Sequence, residues 1–270
     1  MTYKKDQQMN FRELADWVIR QTMKAGAQDC RVNLSKRRMV EINYRDRKPE
    51  VVKEATTQNL FLEVFIKNRF AGQATPDFRK STLEGFISGV VDSAGIMEED
   101  PFRTLPDPKY YEGRSTVDLQ LYDPDYDKMT PEDRYIMVKT VEDACLQEGG
   151  EKVISVKAGE YDESFEEFIK TSNGFEGATQ STYCQVGASM TVQDEGDRRP
   201  AGNNYIGCRF ESDLPPLEEV GIKAAQRTLD LMGGKKIATT TLPIIIENRS
   251  VGRVLGGLFD PMSAGSIQQK

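Results

Sequence analysis

Thr171-Ser172-Asn173-Gly174-Phe175-Glu176-Gly177 decides how this chain folds. Asn173-Gly174 is a strong hairpin signal, so a strand should enter and leave here in opposite directions. Val153–Ala158 and Glu163–Thr171 read as strands before the turn, and Thr179–Gln193 and Asn203–Glu211 read as strands after it. Gly196-Asp197 is expected to close a second hairpin. Hairpins join antiparallel strands, whereas parallel strands need a long crossover, so the sheet should be antiparallel.

Helices bracket this strand-rich block. One opens at Thr130-Pro131-Glu132-Asp133, a cap residue followed by proline at the first helical position, and runs to about Glu148 before Gly149-Gly150. Another spans about Pro216–Met232 and is cut off by Gly233-Gly234. The same order occurs upstream. A helix over Asn10–Ala25 has Asn10 as cap and Glu13 completing a capping-box variant, with Phe11, Leu14, Ala15, Val18 and Ile19 on one face and Gly26 as the stop. Trp17, beside that stripe, reads as packing. Cys30, Val32 and Leu34 alternate with polar residues, as do Val40, Ile42 and Tyr44; Lys36-Arg37-Arg38 between them reads as a solvated hairpin turn. Val51–Thr57 is a weaker strand, and Leu60–Ile66 is apolar enough for a central strand covered on both faces. Asn68-Arg69 should turn into Phe70–Ala74, and a helix from Pro76 or Ser81 to Ser93 stacks Leu83, Phe86, Ile87, Val90 and Val91.

The implied fold class is α+β: two successive helix–antiparallel-sheet–helix units, then the start of a β-rich C-terminal domain. The expected divisions are 1–100 for the first unit, 101–129 for a proline- and aspartate-rich linker, 130–236 for the second unit and 237–270 for the opening of the third part. Thr239–Glu247, with Ile244-Ile245-Ile246, should be a buried strand feeding a short helix over about Arg249–Phe259.

Composition narrows the chemistry. The 270 residues carry a net charge of -7 with 29% charged side chains, which argues against a general affinity for nucleic acid or an anionic membrane. Met1–Gln8 lacks the apolar core of a signal peptide, and no run approaches the ~18 apolar residues of a membrane span. Cys30, Cys145, Cys184 and Cys208 are scattered without a CxxC pair and are expected to be reduced and buried, which points to the cytoplasm. The chain has no histidine. That removes HExxH zinc sites, Ser–His–Asp triads and Cys–His pairs within these residues.

The remaining motifs are weak. Asp123-x-Asp125-x-Asp127 has Lys128 and Arg134 where a calcium loop needs glycine and glutamate, so its aspartates read as a solvated linker. Gly233-Gly234-Lys235-Lys236 follows a helix instead of joining a strand to one, so it reads as a helix end and not a phosphate loop. The acidic run Glu160–Glu167 offers candidate carboxylates but no diagnostic spacing, and reads as an exposed strand or turn. Tyr110, Tyr111, Tyr122, Tyr126 and Asn204-Tyr205 are candidates for lining a peptide groove.

Several stretches, in order, resemble the TldD/PmbA family, also named modulators of DNA gyrase. They are Arg69–Ala74, Leu119-Gln120-Leu121-Tyr122-Asp123-Pro124, Ser172–Gly177, Gly221–Arg227, Leu231–Ile237 and Thr240–Ile245. The resemblance implies an α+β N-terminal region in two parts, a β-rich C-terminal domain continuing well past residue 270, and dimers that include pairs of unlike subunits. One branch is a zinc metallopeptidase for unfolded or extended peptides, with His-Glu-x-x-x-His on a helix; the other lacks that motif and acts as its partner. Here the two histidine positions fall on Asn248 and Arg253 and the glutamate position on Arg249, while Val251, Gly252, Leu255, Gly257 and Phe259 keep the surrounding pattern. Asparagine is a poor zinc ligand and arginine does not give up its proton. The resemblance therefore implies a PmbA/TldE-like subunit with no catalytic residue or metal of its own, zinc residing only in a TldD-like partner. Its partners would be that metallopeptidase subunit or a second copy, and an extended peptide. Asn248 is expected to cap the short helix. The alternative is a non-proteolytic binding module that modulates another protein, such as gyrase.

Overall fold

A computed structural model describes residues 10–115 and 117–269. Its chain divides into two compact units, ending and beginning at Gly233 and Gly234.

In the first unit, α1 (Phe11–Lys24) precedes β1 (Asp29–Arg45), β2 (Lys48–Ile66), β3 (Arg69–Thr75) and α2 (Lys80–Ile96). Then come α3 (Pro131–Gly149), β4 (Val153–Thr171), β5 (Glu176–Val192), β6 (Ala201–Cys208) and α4 (Leu217–Leu229). The strands form one antiparallel sheet in the order β3-β2-β1-β4-β5-β6. Each helix–strand set thus contributes three strands, and β1 pairs with β4 along Arg31–Arg45 to make the sheet continuous.

Three strands each run through what the sequence pattern reads as two. Lys36-Arg37-Arg38 is no turn: it lies in the middle of β1, with Lys36 opposite Gln58 on one side and Glu166 on the other. The turn is at Asp46-Arg47, both at positive φ (50° and 65°). Asp46 holds it by accepting at Oδ1 from the Val156 backbone N–H at 3.0 Å. Val51–Thr57 and Leu60–Ile66 are likewise parts of β2, and Val153–Ala158 and Glu163–Thr171 parts of β4. Each interruption is a polar stretch that keeps its backbone pairing. Alternation fades there because polar side chains take the place of apolar ones, not because the strand ends.

The reason lies in two separate cores on one face. Even-numbered β1 residues share that face, since side chains alternate along a strand. Cys30, Val32 and Leu34 pack with Leu60, Leu62 and Val64 under α1 and α2. Val40, Ile42 and Tyr44 pack with Val156, Val186 and Met190 under α3 and α4. Leu14, Leu34, Leu60, Leu62 and Leu83 are fully buried, each contributing roughly 1.5–3 kcal/mol. Lys36 and Arg38 occupy the strip between the two helix pairs. Leu60–Ile66 is covered on the helix face, while Phe61 and Phe65 on the other face are only half-buried, so two-sided cover does not hold.

Local signals set most boundaries. Asn10 caps α1 by accepting from the Arg12 N–H at 3.0 Å; among the described hydrogen bonds, Glu13 makes no reciprocal bond. Gly26 leaves the helix at φ 108°. Trp17 packs against the first core. Thr130 and Asp133 form a complete capping box on α3. Gly174 turns at φ 104° and Gly196 at φ 60°.

Among the described residues, the segment joining the two helix–strand sets has no strand and two short 3-10 turns, Pro108–Tyr111 and Tyr126–Lys128. It follows the half of β5 that β6 leaves unpaired. Arg114 donates to the Glu176 carbonyl at 2.8 Å, and the Thr182 N–H donates to the Leu121 carbonyl at 2.9 Å. An edge that would otherwise offer its backbone to other chains is covered.

In the second unit, residues 239–247 carry no strand pairing, and α5 (Asn248–Phe259) and α6 (Ala264–Gln269) follow. The expected buried strand is absent: Ile244 is 82% and Ile245 99% exposed. A strand exists only by pairing, and among the described residues none pairs with this segment.

Candidate functional site

The strip between the two cores is built by strand register. Gln58, Lys36, Glu166 and Gln180 stand side by side across β2, β1, β4 and β5. They floor a cleft of about 1080 Å³ whose walls include Phe11, Phe78, Phe168 and Arg79. The cleft is open and mixed in character, with amides, an ammonium and a carboxylate beside aromatic rings.

Beyond Arg38 the strip sinks into a buried polar cluster. Glu160 is 1% and Asp162 0% exposed, so the acidic run Glu160–Glu167 is not the exposed strand or turn its composition suggested. Position decides this: both even-numbered residues face α3, beside the second core. Asp162 accepts from the Arg134 guanidinium through Nε and, at 3.1 Å, through Nη2. It also accepts from the Tyr126 hydroxyl at 2.5 Å. Arg134 donates to the Met129 carbonyl at 2.8 Å, and Arg38 spans Tyr126 and Glu54, reaching the glutamate at 2.8 Å. Helix α3, the joining segment and two strands are thereby tied to one carboxylate.

Glu160 is different. Neither of its carboxylate oxygens has a hydrogen-bond donor among the described residues. Burial, and then the neighbouring Asp162, push its acid up to about 9. It therefore holds a proton at neutral pH, and that proton supplies the donor toward Asp162. Burial, and then the bond to Asp162, likewise raise the Tyr126 hydroxyl well above its ordinary value. These groups are paired with each other and closed to solvent, so they do not face a substrate.

The other candidates are dispersed. Asp123 is buried, not a solvated linker aspartate: its N–H donates to Thr182 Oγ1 at 2.8 Å and its carboxylate accepts from the Asp125 and Glu211 N–H groups. Tyr126 belongs to the buried cluster, Tyr111 packs edge-on against Phe175, Tyr110 is exposed, and Asn204 donates to the Val220 carbonyl. The tyrosines therefore line no common groove. α4 ends at Leu229 with Asp230 as its cap, and Gly233, at φ 66° in the turn that follows, donates its N–H to Asp194 at 3.0 Å. Within the second unit, Asn248, Arg249 and Arg253 are all exposed on α5. Glu247, not Asn248, is the cap residue, and Asn248 is the first helical position. Arg249 lies 3.6 Å from the Glu247 carboxylate. Among the described residues no group of three or more Cys, Asp or Glu side chains is arranged to hold a metal ion.

Pairing across strands brought together groups that sequence reasoning kept apart. Arg134–Asp162, Cys184–Cys208 and Asp123–Thr182 carried no sequence signal beyond residue type.

Residues 124–232 match the family described as the PmbA/TldA metallopeptidase central domain. The chain is 24% identical over 243 residues to metalloprotease PmbA of Escherichia coli O157:H7, covering 88% of this chain and 52% of that protein. A Bacteroides thetaiotaomicron structure named for modulation of DNA gyrase matches with a TM-score of 0.89 at 28% identity, over 96% of this chain and 58% of its own. A Thermotoga maritima structure of the same naming shares the fold at 17% identity, with a TM-score of 0.69 over 85% of this chain and 50% of its own. TldE from Thermococcus kodakarensis shares it at 14%, with a TM-score of 0.65 over 80% and 47%. The chain thus spans about half the length of the curated relative it matches. Residues 124–232 are similar to the PmbA/TldA metallopeptidase central domain, and the chain as a whole is similar to PmbA and to the Bacteroides structure.

Proposed function

We propose that this chain acts as a non-catalytic, PmbA/TldE-like subunit of a TldD-type peptide-processing assembly, holding an extended peptide while a histidine-bearing partner hydrolyses it. One observation carries the reading. The helix with the family's surrounding pattern has Asn248, Arg249 and Arg253 where zinc chemistry needs two histidines and a glutamate, in a chain with no histidine at all. The E. coli relative is named a metalloprotease, but that chemistry has no ligand set here. The mixed cleft, with aromatic rings beside amides and charged groups, suits an extended peptide, whose side chains it can seat.

The test uses the purified chain. It should contain no stoichiometric zinc and leave an unfolded peptide intact, yet support cleavage when a TldD-like metallopeptidase is added. Tight zinc together with independent proteolysis would overturn the reading. The naming of the Bacteroides relative favours a second one, a non-proteolytic module acting on gyrase. Recovery of a topoisomerase without any metallopeptidase, in pull-down from native lysate, would support that one instead.

A further inference from the structure

Two of the four cysteines meet. Cys184 on β5 and Cys208, the last residue of β6, are direct register partners, and their Sγ atoms lie 3.2 Å apart. Directly opposed residues of an antiparallel pair have Cα atoms roughly 4.5–5.5 Å apart, inside the window of about 4.4–6.8 Å that a disulfide accepts. Closing the gap needs side-chain rotation and no backbone movement. We propose that Cys184 and Cys208 form a reversible redox site, bridged by a small-molecule disulfide oxidant of the glutathione type.

Access sets the order of events. Cys184 is buried, whereas Cys208 is half-exposed and its Sγ donates to the Phe210 carbonyl at 2.9 Å. Cys208 loses its proton to water, and its thiolate attacks one sulfur of the oxidant. The oxidant's S–S bond breaks, a mixed disulfide forms and one thiolate leaves, taking a proton from water. Cys184 then attacks the Cys208 sulfur, and its proton goes to the second departing thiolate. Two protein thiols and one disulfide become one protein disulfide and two small thiols. Burial raises both thiols above their ordinary value, most at Cys184, so the exchange is slow and the pair rests as dithiol in reducing surroundings.

The position gives the bridge a consequence. β6 is an edge strand, and Cys208 is its last residue before the chain leaves the sheet for α4. A bond to β5 there fastens that exit. Cys30 lies in the first core and Cys145 in the second, both fully buried and pushed up to about 12 by burial, and neither has a cysteine partner among the described residues.

The test incubates the intact chain, native, with oxidised glutathione. The expected product has lost the mass of two hydrogens, carries a Cys184–Cys208 cross-linked peptide on digestion, melts a few degrees higher and reverts with dithiothreitol. Cys184→Ser should stop at a stable glutathione adduct on Cys208. The wild-type measurement needs no variant to fold. Retention of all four thiols, a persistent adduct on the wild-type chain, or a bridge to Cys30 or Cys145 would each overturn the proposal.

Discussion

Glu160→Gln should stabilise the chain, and increasingly so as pH rises. The wild-type acid titrates near 9 in the folded protein against 4.5 for an ordinary glutamate, because burial and Asp162 disfavour its charged form. The folded chain therefore binds one proton that the unfolded chain releases between these two values. Stability is full below about pH 4.5 and falls as pH climbs through the window, with a slope of about 1.4 kcal/mol per pH unit. At neutral pH the accumulated cost is about 3 kcal/mol by the same linkage. Glutamine has the shape of the protonated acid, and its amide can donate to Asp162, so the variant keeps the contact without the titration. Urea unfolding followed by far-UV circular dichroism at about pH 5, 7 and 8.5 would give the difference. The two proteins should nearly coincide at the acidic end and diverge by roughly 1 kcal/mol or more per unit above it. Parallel curves would mean that Glu160 is ionised and paired with a donor. A variant less stable at every pH would mean that its carboxylate is needed as an acceptor.

Removing the guanidinium with Arg134→Ala leaves Asp162 buried without a cationic partner, and should cost about 3–5 kcal/mol in urea unfolding. Gly221→Ala would place a Cβ 2.3 Å from the Val141 carbonyl, forcing α4 away from α3; a loss of about 1–3 kcal/mol or more is expected, seen as a lower melting temperature. Thr130→Ala breaks the capping box on α3 and should cost about 1 kcal/mol in the same assay. Chelator treatment followed by gel filtration and metal analysis should change neither the stability nor the elution of the purified chain, as expected if zinc belongs to a partner.

Much of the fold could be read from local chemistry. Gly174, Thr130-Pro131 and Gly26 each demanded one backbone conformation, and each sits where that conformation ends or turns an element. Lys36-Arg37-Arg38 misled because a polar interruption in a strand and a polar turn share a composition. What separates them is whether neighbouring strands continue alongside, and β2 and β4 do. Asp46-Arg47 went unseen as a turn because neither residue is the glycine or asparagine that usually accepts positive φ. The degenerate positions Asn248, Arg249 and Arg253 were found by resemblance alone, since nothing in their spacing points to function.

The apolar faces of the first helices, the caps at Asn10 and Thr130 and the missing histidines were settled by the sequence itself, because each depends on residues within one or two turns or on a residue type absent everywhere. Burial of Glu160 and Asp162, the reach of Arg134 and the meeting of Cys184 with Cys208 were decided only by the tertiary structure. A strand's sequence says which residues share a face but not what covers that face. Here two helix pairs cover the ends of the sheet and leave a polar strip between them, so alternation of the same kind places a leucine in a core, a lysine in a cleft and an aspartate in a sealed ionic cluster.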